Sequence, residues 1–366
     1  MKRIIYLALF VTISTACSTK PEYKIAGEID GADNVTFLLQ QRQADRIVTI
    51  DSAVSKKGSF KMSGGPIEYP QMVLLVAKDK NVRTSFYLEN SKISITGKLD
   101  SLSKAKITGS KTQDEYDSFV ASNKVLSDRY TVLYTEYQTA NQTGNTTRVA
   151  ELQKEAGTIQ NEMIDLQKEF IRNNPGSYVA PSILNNLSYE LELEEIESFI
   201  SALDSNVANI PIMMSLKDRV SSMKKVSIGQ KAPDFTMNDV NGNPVSLSSK
   251  IGPKLLLVDF WAAWCNPCRL ENPNLVKIYS EFNKKGFEIL GVSLDRTKDA
   301  WVKAISDDKL AWTHVSDLQY WDNAAARVYA VSSIPASFLL DESGTIIARN
   351  LRGADLYNKV SEVLGK

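Results

Sequence analysis

The sequence predicts a multidomain protein: an N-terminal antiparallel β sandwich or barrel, a central α-helical hairpin region and a C-terminal α/β domain. Three observations predict this order. Short alternating segments rich in β-branched residues fill residues 23–110, apolar residues recur every three or four positions within 111–225, and strand and helix patterns alternate over 226–366. The length of 366 residues is also greater than one domain usually needs.

The first residues have the pattern of a targeting signal. Lys2 and Arg3 precede an apolar run, Ile4–Ile13, which is too short to span a bilayer as a mature helix. We therefore expect residues 1–16 to be a signal peptide.

Small residues, Ser14, Thr15 and Ala16, stand directly before Cys17, and this segment resembles a bacterial lipobox. The resemblance implies that Cys17 is lipidated and that residues 17–22 link the lipid anchor to the first domain. The alternative is an ordinary secretory signal cut after Ala16. Both interpretations place the chain in the cell envelope, facing the periplasm, where disulfides persist. Which membrane holds the anchor stays open.

Residues 23–110 contain short segments, such as YKIAGEI and KISITG, in which apolar and polar residues alternate. Gly, Asn, Asp and Pro separate them, and Pro66 and Pro70 mark a loop or an edge position. This pattern predicts an antiparallel sandwich or barrel. The segment holds no cluster of catalytic residue types.

Residues 111–225 change to a helical pattern. Two apolar runs have spacings of three, four or seven, and the polar stretch NQTGNTT separates them. Together they predict two helices in an antiparallel hairpin, which ends near Pro175 because proline cannot continue a helix. The apolar seam packs within the chain in the simpler interpretation; the alternative is a dimerisation arm that forms a homodimer. Shorter helical segments follow.

A third unit covers residues 226–366. The apolar run KLLLVDFW predicts a buried central strand, and Cys265 and Cys268 follow it at the start of a helix that runs to about Lys285. A second strand, a helix around Trp301, two adjacent strands and a final helix complete an α/β pattern.

Composition and charge argue against several function classes. The formal net charge is zero, so no basic field favours nucleic acid. The chain has one histidine, His314, and a zinc site at the two cysteines would need two more ligands, so we expect no metal and no other cofactor. With Cys17 lipidated, only Cys265 and Cys268 remain, which excludes a structural disulfide framework.

The placement of these two cysteines favours thiol–disulfide exchange. The first turn of a helix has unpaired N–H groups and a positive dipole end, which stabilise a thiolate and lower the pKa of a cysteine there. We expect Cys265 to be exposed and to attack a disulfide, and Cys268, one turn later and more buried, to resolve the mixed disulfide. Pro267 between them suits the start of a helix.

The segment VDFWAAWCNPCRLENP, with APDF upstream, resembles the active-site region of the TlpA/ResA group of thioredoxin-fold thiol–disulfide oxidoreductases, which are lipid- or membrane-anchored. The resemblance covers residues 226–366 and implies a thioredoxin fold there. Within residues 23–110, DSAVSKKGSFKMSG and FYLENSKISITG resemble an uncharacterised β domain of lipoproteins from Bacteroides-type bacteria.

The resemblance implies three substrate-binding residues. Pro335 falls where these folds place a cis-proline opposite the dithiol, and the backbone beside it pairs with the substrate chain like an added strand. Ile334 would touch the disulfide, and Trp264, directly before Cys265, would contact the substrate.

Two carboxylates are candidates for moving the proton of Cys268. Asp259 lies six residues before Cys265, where thioredoxins carry a buried aspartate whose pKa is raised by desolvation. Glu271 lies three residues after Cys268, where the ResA group has an acidic residue. The alternative for Glu271 is a solvated residue of the first helical turn. The sequence does not rank the two carboxylates.

The resemblance thus implies an enzyme that reduces protein disulfides, is recharged by a membrane thiol-transfer electron donor, and acts in cytochrome c maturation or disulfide repair. Two alternatives stay open. The opening GQKAPDFT is shared with peroxiredoxins and suggests a thiol peroxidase of the AhpC/TSA type, although Val258 and Ala262 replace that family's residues before the reactive cysteine. The other alternative is an assembly or binding lipoprotein with a subsidiary redox domain.

Overall fold

The computed structural model describes residues 22–43 and 46–365. The predicted signal peptide over residues 1–16 and the predicted lipidation site, Cys17, lie outside the described residues. Across the described part of the chain, no helix combines the length and the apolar character needed to cross a membrane.

The N-terminal part is a sandwich of two four-stranded sheets. Its strands are β1 (Tyr23–Asp30), β2 (Thr36–Gln43), β3 (Arg46–Val54), β4 (Ser59–Gly64), β5 (Gln71–Ala77), β6 (Val82–Leu88), β7 (Lys92–Lys98) and β8 (Lys106–Thr108). One sheet has the order β4-β1-β7-β8 and the other β3-β2-β5-β6, and apolar residues of both sheets form one core. The predicted β-rich N-terminal domain is confirmed.

One strand pair departs from the predicted antiparallel pattern. β1 and β7 run parallel, with Ile25 opposite Ile93 and Gly27 opposite Ile95. Parallel neighbours need a long connection, and the intervening strands β2 to β6 supply it here. Alternation within a segment shows which face is buried but not the direction of the neighbouring strand, so the sequence pattern carries no signal for this pair.

Gly27 of β1 lies opposite Phe60 of β4. A Cβ atom on Gly27 would lie 2.0 Å from the Phe60 ring, which is buried and stacks on Phe37 with 4.5 Å between the ring centres. Because the ring is held by this stacking and by the surrounding core, it cannot move away easily. Glycine is therefore the residue that fits at this position.

The central region contains the predicted helical hairpin, α1 (Lys111–Gln142) and α2 (Thr146–Asn173). Ser110 caps α1 by accepting a hydrogen bond from the Gln113 N–H, and Asn145 caps α2 by accepting one from the Arg148 N–H. The two helices share a small apolar core formed by Leu133, Ala140, Leu152 and Ile159. The predicted seam thus packs within the chain, and the homodimer stays a prediction.

Three shorter helices follow, α3 (Ala180–Leu187), α4 (Leu193–Ala202) and α5 (Pro211–Lys225). The described residues form two compact units, one that extends to Ile183 and includes Asp204–Ile210, and one that contains Leu184–Leu203 and the residues from Pro211 onward. α4 and α5 therefore group with the C-terminal unit, whereas the sequence pattern predicted a single helical region over 111–225. Helical periodicity shows which face is apolar but not which element that face packs against.

The C-terminal unit contains a seven-stranded sheet of order β10-β9-β13-β12-β11-β14-β15. Its strands are β9 (Thr236–Asp239), β10 (Pro244–Ser246), β11 (Leu255–Trp261), β12 (Phe287–Ser293), β13 (Thr313–Ser316), β14 (Ala336–Asp341) and β15 (Ile346–Arg349). Its further helices are α6 (Asn266–Phe282), α7 (Lys298–Asp307), α8 (Ala324–Val328) and α9 (Gly353–Leu364). β11 lies between β12, which is parallel to it, and β14, which is antiparallel, and all of its residues are buried. The predicted α/β domain with a thioredoxin fold is confirmed.

We predict that Gly27→Ala destabilises the β domain by about 1–3 kcal/mol, because the added methyl group overpacks the core against Phe60. The measurement is hydrogen–deuterium exchange of the β-domain amides in the full chain. Gly157→Ala is the matched control, since Gly157 lies inside α2 with nothing within 4 Å of an added Cβ. There we expect a gain of roughly 0.5–1 kcal/mol in helix stability. Unchanged exchange in Gly27→Ala would contradict the packing argument.

Candidate functional site

Cys265 and Cys268 lie at the junction of β11 and α6. β11 ends at Trp261, and Cys265 is the N-cap residue of α6. The Sγ atom of Cys265 accepts a hydrogen bond from the Cys268 N–H at 3.2 Å, and the two cysteines form a disulfide with their Cα atoms 5.3 Å apart. Pro267 occupies the first turn, where a missing N–H leaves no helical hydrogen bond unmade. The end of a buried strand and the start of a helix together fix both sulfur atoms.

Both cysteines are buried in this oxidised state. The exposed fraction is 4% for Cys265 and 1% for Cys268. We expected an exposed Cys265, but its sulfur is bonded to Cys268 and accepts the Cys268 N–H, so it is directed into the first turn of α6. After reduction, the same N–H group can stabilise a negative charge on the Cys265 sulfur.

The segment between β11 and Cys265 is held by residues at the end of β12 and directly after it. Both carboxylate oxygens of Asp295 accept the Ala263 N–H, at 3.0 and 3.2 Å, and the Ser293 hydroxyl donates to Asp295 at 2.8 Å. The Leu294 N–H donates to the Trp261 carbonyl at 2.9 Å. Sequence reasoning missed Asp295, which is a lone aspartate after a strand and belongs to no motif.

Asp259 lies in the middle of β11, between Gly291 of β12 and Ser337 of β14, and its side chain is buried. Burial and then the negative charge of Glu271 raise the pKa of Asp259 to about 7, while the positive charge of Arg352 acts in the opposite direction. A carboxyl group with this pKa can both accept and release a proton at neutral pH.

Glu271 has specific hydrogen-bond partners and is not a freely solvated residue of α6. Its Oε1 atom accepts the Gly353 N–H at 2.8 Å and the Asn274 side-chain amide at 2.8 Å. Gly353 is the first residue of α9, so Glu271 holds the N-terminal end of that helix and adds negative charge where the dipole favours it. Its negative charge also raises the pKa of Asp259, so the two predicted carboxylates lie close enough to interact electrostatically.

Pro335 directly precedes β14, and the Ile334–Pro335 peptide bond is cis. Ala336 pairs with Phe260 in the antiparallel register of β14 and β11. Continuing this register places Pro335 beside Trp261, the last residue of β11, and Ile334 beyond the strand end from which the chain leads to Cys265. Ile334 packs against the core of this domain as a partly buried residue.

Arg352 is a residue of the site that sequence reasoning missed. Its guanidinium donates a hydrogen bond to the Pro335 carbonyl, and its positive charge lowers the pKa of Asp259. An isolated arginine between β15 and α9 gives no motif, and only the tertiary structure shows that it lies beside both residues.

Trp264, directly before Cys265, belongs to an exposed aromatic cluster. Its ring centre lies 5.0 Å from that of Tyr320 and 5.9 Å from that of Trp321, and its indole N–H donates to the Leu294 carbonyl at 3.3 Å. Trp264 is 45% exposed and Trp321 is 37% exposed. The predicted substrate contact thus has aromatic neighbours that the sequence did not identify.

His314 lies in the core and is not grouped with the predicted site residues. It packs between Trp261 and Trp312, with ring centres 5.4 and 5.7 Å away, and burial lowers its pKa to about 3. The side chain is therefore neutral at physiological pH.

Two family models match the chain. Residues 228–349 match the AhpC/TSA family, and residues 23–116 match a domain of unknown function, DUF4369. Among curated relatives, the thiol–disulfide oxidoreductase ResA of Bacillus cereus is 30% identical over 146 residues, which cover 40% of this chain and 82% of the relative. ResA of Geobacillus kaustophilus is 33% identical over 121 residues, covering 33% of this chain and 67% of the relative.

Solved structures resemble the same part of the chain. The thioredoxin domain of a thiol–disulfide oxidoreductase from Bacteroides vulgatus is 42% identical, covers 38% of this chain and 99% of its own, and has a TM-score of 0.36. A thiol:disulfide interchange protein from a Bacteroides species is 41% identical, covers 39% of this chain and 93% of its own, and has a TM-score of 0.36.

We predict that Asp259→Asn removes a pH dependence of stability. The carboxyl of Asp259 ionises near pH 3.8 in the unfolded chain but stays protonated up to about pH 7 in the folded protein. Its contribution to stability is therefore fully present below about pH 4 and is lost as the pH rises to 7, by an amount on the order of 4 kcal/mol at most. The free energy of unfolding of the oxidised protein in urea should fall over this window, and should fall less in Asp259→Asn.

Asp355→Asn is the matched control for this experiment, because Asp355 is an exposed carboxylate in the first turn of α9. This variant should retain the pH profile of the wild type. Equal profiles in the wild type and in Asp259→Asn would contradict a raised pKa at Asp259.

Proposed function

The chain belongs to the ResA family of thiol–disulfide oxidoreductases, and from this premise we propose that it reduces protein disulfides with Cys265 as the attacking residue and Cys268 as the resolving residue. The observation that carries the proposal is the Cys265–Cys268 disulfide at the start of α6, with a buried carboxyl of raised pKa on the preceding strand. Two cysteines separated by two residues at a helix start are suited to exchange. The first, Cys265, can be a thiolate that attacks, and the second, Cys268, lies one turn later and can attack the mixed disulfide.

The reaction proceeds in two steps from the dithiol form. The Cys265 thiolate attacks one sulfur of the substrate disulfide, a mixed disulfide forms, and the other substrate sulfur leaves as a thiolate and takes up a proton. Cys268 loses its proton and attacks the Cys265 sulfur, which releases the second substrate thiol and forms the Cys265–Cys268 disulfide. Two electrons pass to the substrate, and the oxidised protein is the state that the structure describes.

Asp259 is proposed to take the proton of Cys268 in the second step. A general base works best when its pKa lies near the working pH, and burial places the pKa of Asp259 at about 7. Glu271 and Arg352 act on Asp259 through their charges, so they are positioning residues in this proposal.

The substrate chain is proposed to pair with the backbone beside Pro335. Within the described residues, the N–H groups of Ser332, Ser333 and Ile334 make no backbone–backbone hydrogen bond, so they are free to pair with an extended chain. Trp264, which directly precedes the attacking cysteine and has aromatic neighbours, is proposed to contact the substrate as well.

The proposed location is the cell envelope, with a lipid anchor at Cys17 and the folded domains facing the periplasm. The targeting pattern before Cys17 supports this location, and disulfide chemistry persists there. A membrane thiol-transfer protein would reduce the Cys265–Cys268 disulfide again. The clients would be apocytochrome c or misoxidised envelope proteins.

We predict that Cys268→Ser accumulates a mixed disulfide on Cys265. With resolution blocked, the reduced variant should form an adduct of one substrate per chain, and turnover of a disulfide peptide should fall by at least about a hundredfold because the chemistry stops after one step. Intact-protein mass spectrometry measures the adduct, and the same variant isolated from cells identifies clients.

Cys265→Ser is the control for the trap and should form no adduct. An adduct on Cys268 in Cys265→Ser, or no adduct on a reactive Cys265 in Cys268→Ser, would contradict the assigned roles.

A thiol peroxidase is a second candidate, because residues 228–349 match the AhpC/TSA family. Val258 and Ala262 stand where peroxidases of that type carry the residues that precede the reactive cysteine. We therefore expect hydrogen peroxide consumption, with a dithiol donor, to be no faster than that of Cys265→Ser, while reduction of insulin disulfides depends on Cys265. Fast peroxide turnover that is lost in Cys265→Ser would favour the peroxidase.

A further inference from the structure

A groove of about 690 Å³ opens beside Pro335. Residues 188–194 line it together with Arg219, Met223, Ser227 and Ile228, and so do residues 329–333, Pro335, Ala336, Phe338, Arg349, Asn350 and Arg352. We call it the arginine groove, because Arg219, Arg349 and Arg352 line it. Residues 188–194, Arg219, Met223 and Ser227 precede residues 228–349, so the groove is not a property of the segment that matches the AhpC/TSA family alone.

Arg219 is held firmly in the groove by neutral groups. Its Nη1 atom donates to the Ser188 hydroxyl at 2.6 Å, and its guanidinium carbon lies 4.1 Å from the ring centre of Tyr189. Its Nε atom is buried and has no hydrogen-bond partner. A buried N–H donor without an acceptor is costly, so the neighbours of Arg219 leave part of its hydrogen-bonding capacity unsatisfied.

The other two arginines also contact neutral groups. The guanidinium carbon of Arg349 lies 5.1 Å from the ring centre of Phe338, and its Nε atom is also buried without a partner. Arg352 donates to the Pro335 carbonyl. Among the described residues, none of the three arginines forms an ion pair with a carboxylate.

The charges in the groove are therefore incompletely compensated. Burial lowers the pKa of Arg219 and of Arg349, which means that removal from water disfavours both charged guanidinium groups. A carboxylate that reaches these guanidinium groups would replace, by charge-assisted hydrogen bonds, the interactions with water that burial removes. Three glutamates, Glu190, Glu192 and Glu194, also line the groove; they are exposed, and the charge of Glu192 favours the charged form of Arg349 without a direct ion pair.

We propose that the arginine groove binds an extended segment of the substrate polypeptide that carries a carboxylate side chain close to the disulfide that is reduced. The proposal rests on the proposed function, because the groove begins at Pro335, where the substrate backbone pairs. A chain that leaves this point along the groove brings its side chains to Arg219 and Arg349. The groove therefore selects substrates with an acidic residue near the reactive cysteine.

The test uses the full reduced protein and pairs of disulfide-bonded peptides. Each pair differs only in one residue, Glu or Gln, placed at successive positions on either side of one cysteine. The readout is the ratio of kcat/KM for the Glu peptide to that for the Gln peptide. This ratio does not change when a variant contains some misfolded protein, because inactive chains lower both rates equally.

For the best position, we expect a ratio of about ten in the wild type, as one charge-assisted hydrogen bond gives. Arg219→Gln and Arg349→Gln should each lower the ratio by about threefold or more, and added salt should lower it in the wild type. Arg327→Gln is the matched control, since Arg327 is exposed, lies outside the groove and should keep the wild-type ratio. Glu192→Gln should raise the Glu-to-Gln ratio, because it removes a negative charge that lines the groove and acts on Arg349.

The outcomes separate this proposal from the proposed function. If neither peptide of any pair is reduced, the proposed function fails. If both are reduced at equal rates at every position, or if the preference survives in Arg219→Gln and Arg349→Gln, the substrate proposal is wrong and the proposed function stands. If the two variants weaken binding of inorganic phosphate but leave the peptide ratio unchanged, the groove is an anion site unrelated to the substrate chain, and the substrate proposal is also overturned.

Discussion

The complete burial of β11 is the constraint on which the redox site depends. A strand with every residue buried needs neighbours on both edges and cover on both faces, and β12 and β14 supply the edges. The strand therefore ends at a fixed place, and the chain must turn there into α6 with Cys265 as its N-cap. The same burial desolvates Asp259, so the position of the thiols and the proton affinity of the nearby carboxyl have a common cause.

The sequence predicted those features that depend on neighbours along the chain. Alternation predicted the strands of the β domain, three–four spacing predicted the hairpin, and a CxxC after an apolar strand predicted the strand–helix junction. Apart from the hairpin and the placement of Pro335 opposite the dithiol, which the resemblance implies, contacts between distant segments were not predicted. Glu271 bonds to Gly353, which is 82 residues away, and Arg352 bonds to Pro335 at the open end of the hairpin formed by β14 and β15. No local pattern encodes such a pair, because each partner is ordinary in its own segment.

The helices before the thioredoxin fold illustrate the same limit at the level of whole elements. Their apolar spacing was visible in the sequence, and α4 and α5 were expected in one region with the hairpin. In the structure they group with the C-terminal unit, where Arg219 of α5 bonds to Ser188 and lines a groove that begins at Pro335. Charged residues on a helix usually indicate a solvated face. Here the partly buried guanidinium shows that this part of the helix faces protein.

Arg352 connects two parts of the site that are otherwise separate. One guanidinium donates to the Pro335 carbonyl and, through its charge, holds the pKa of Asp259 below the value that burial and Glu271 alone would produce. If a substrate chain beside Pro335 draws this guanidinium toward a carboxylate of its own, the positive charge near Asp259 is neutralised or moved. The pKa of Asp259 then rises, because desolvation and the charge of Glu271 act with less opposition. A carboxyl whose pKa lies above the working pH is already protonated, so it is the charge of Arg352 that keeps Asp259 able to take the proton of Cys268.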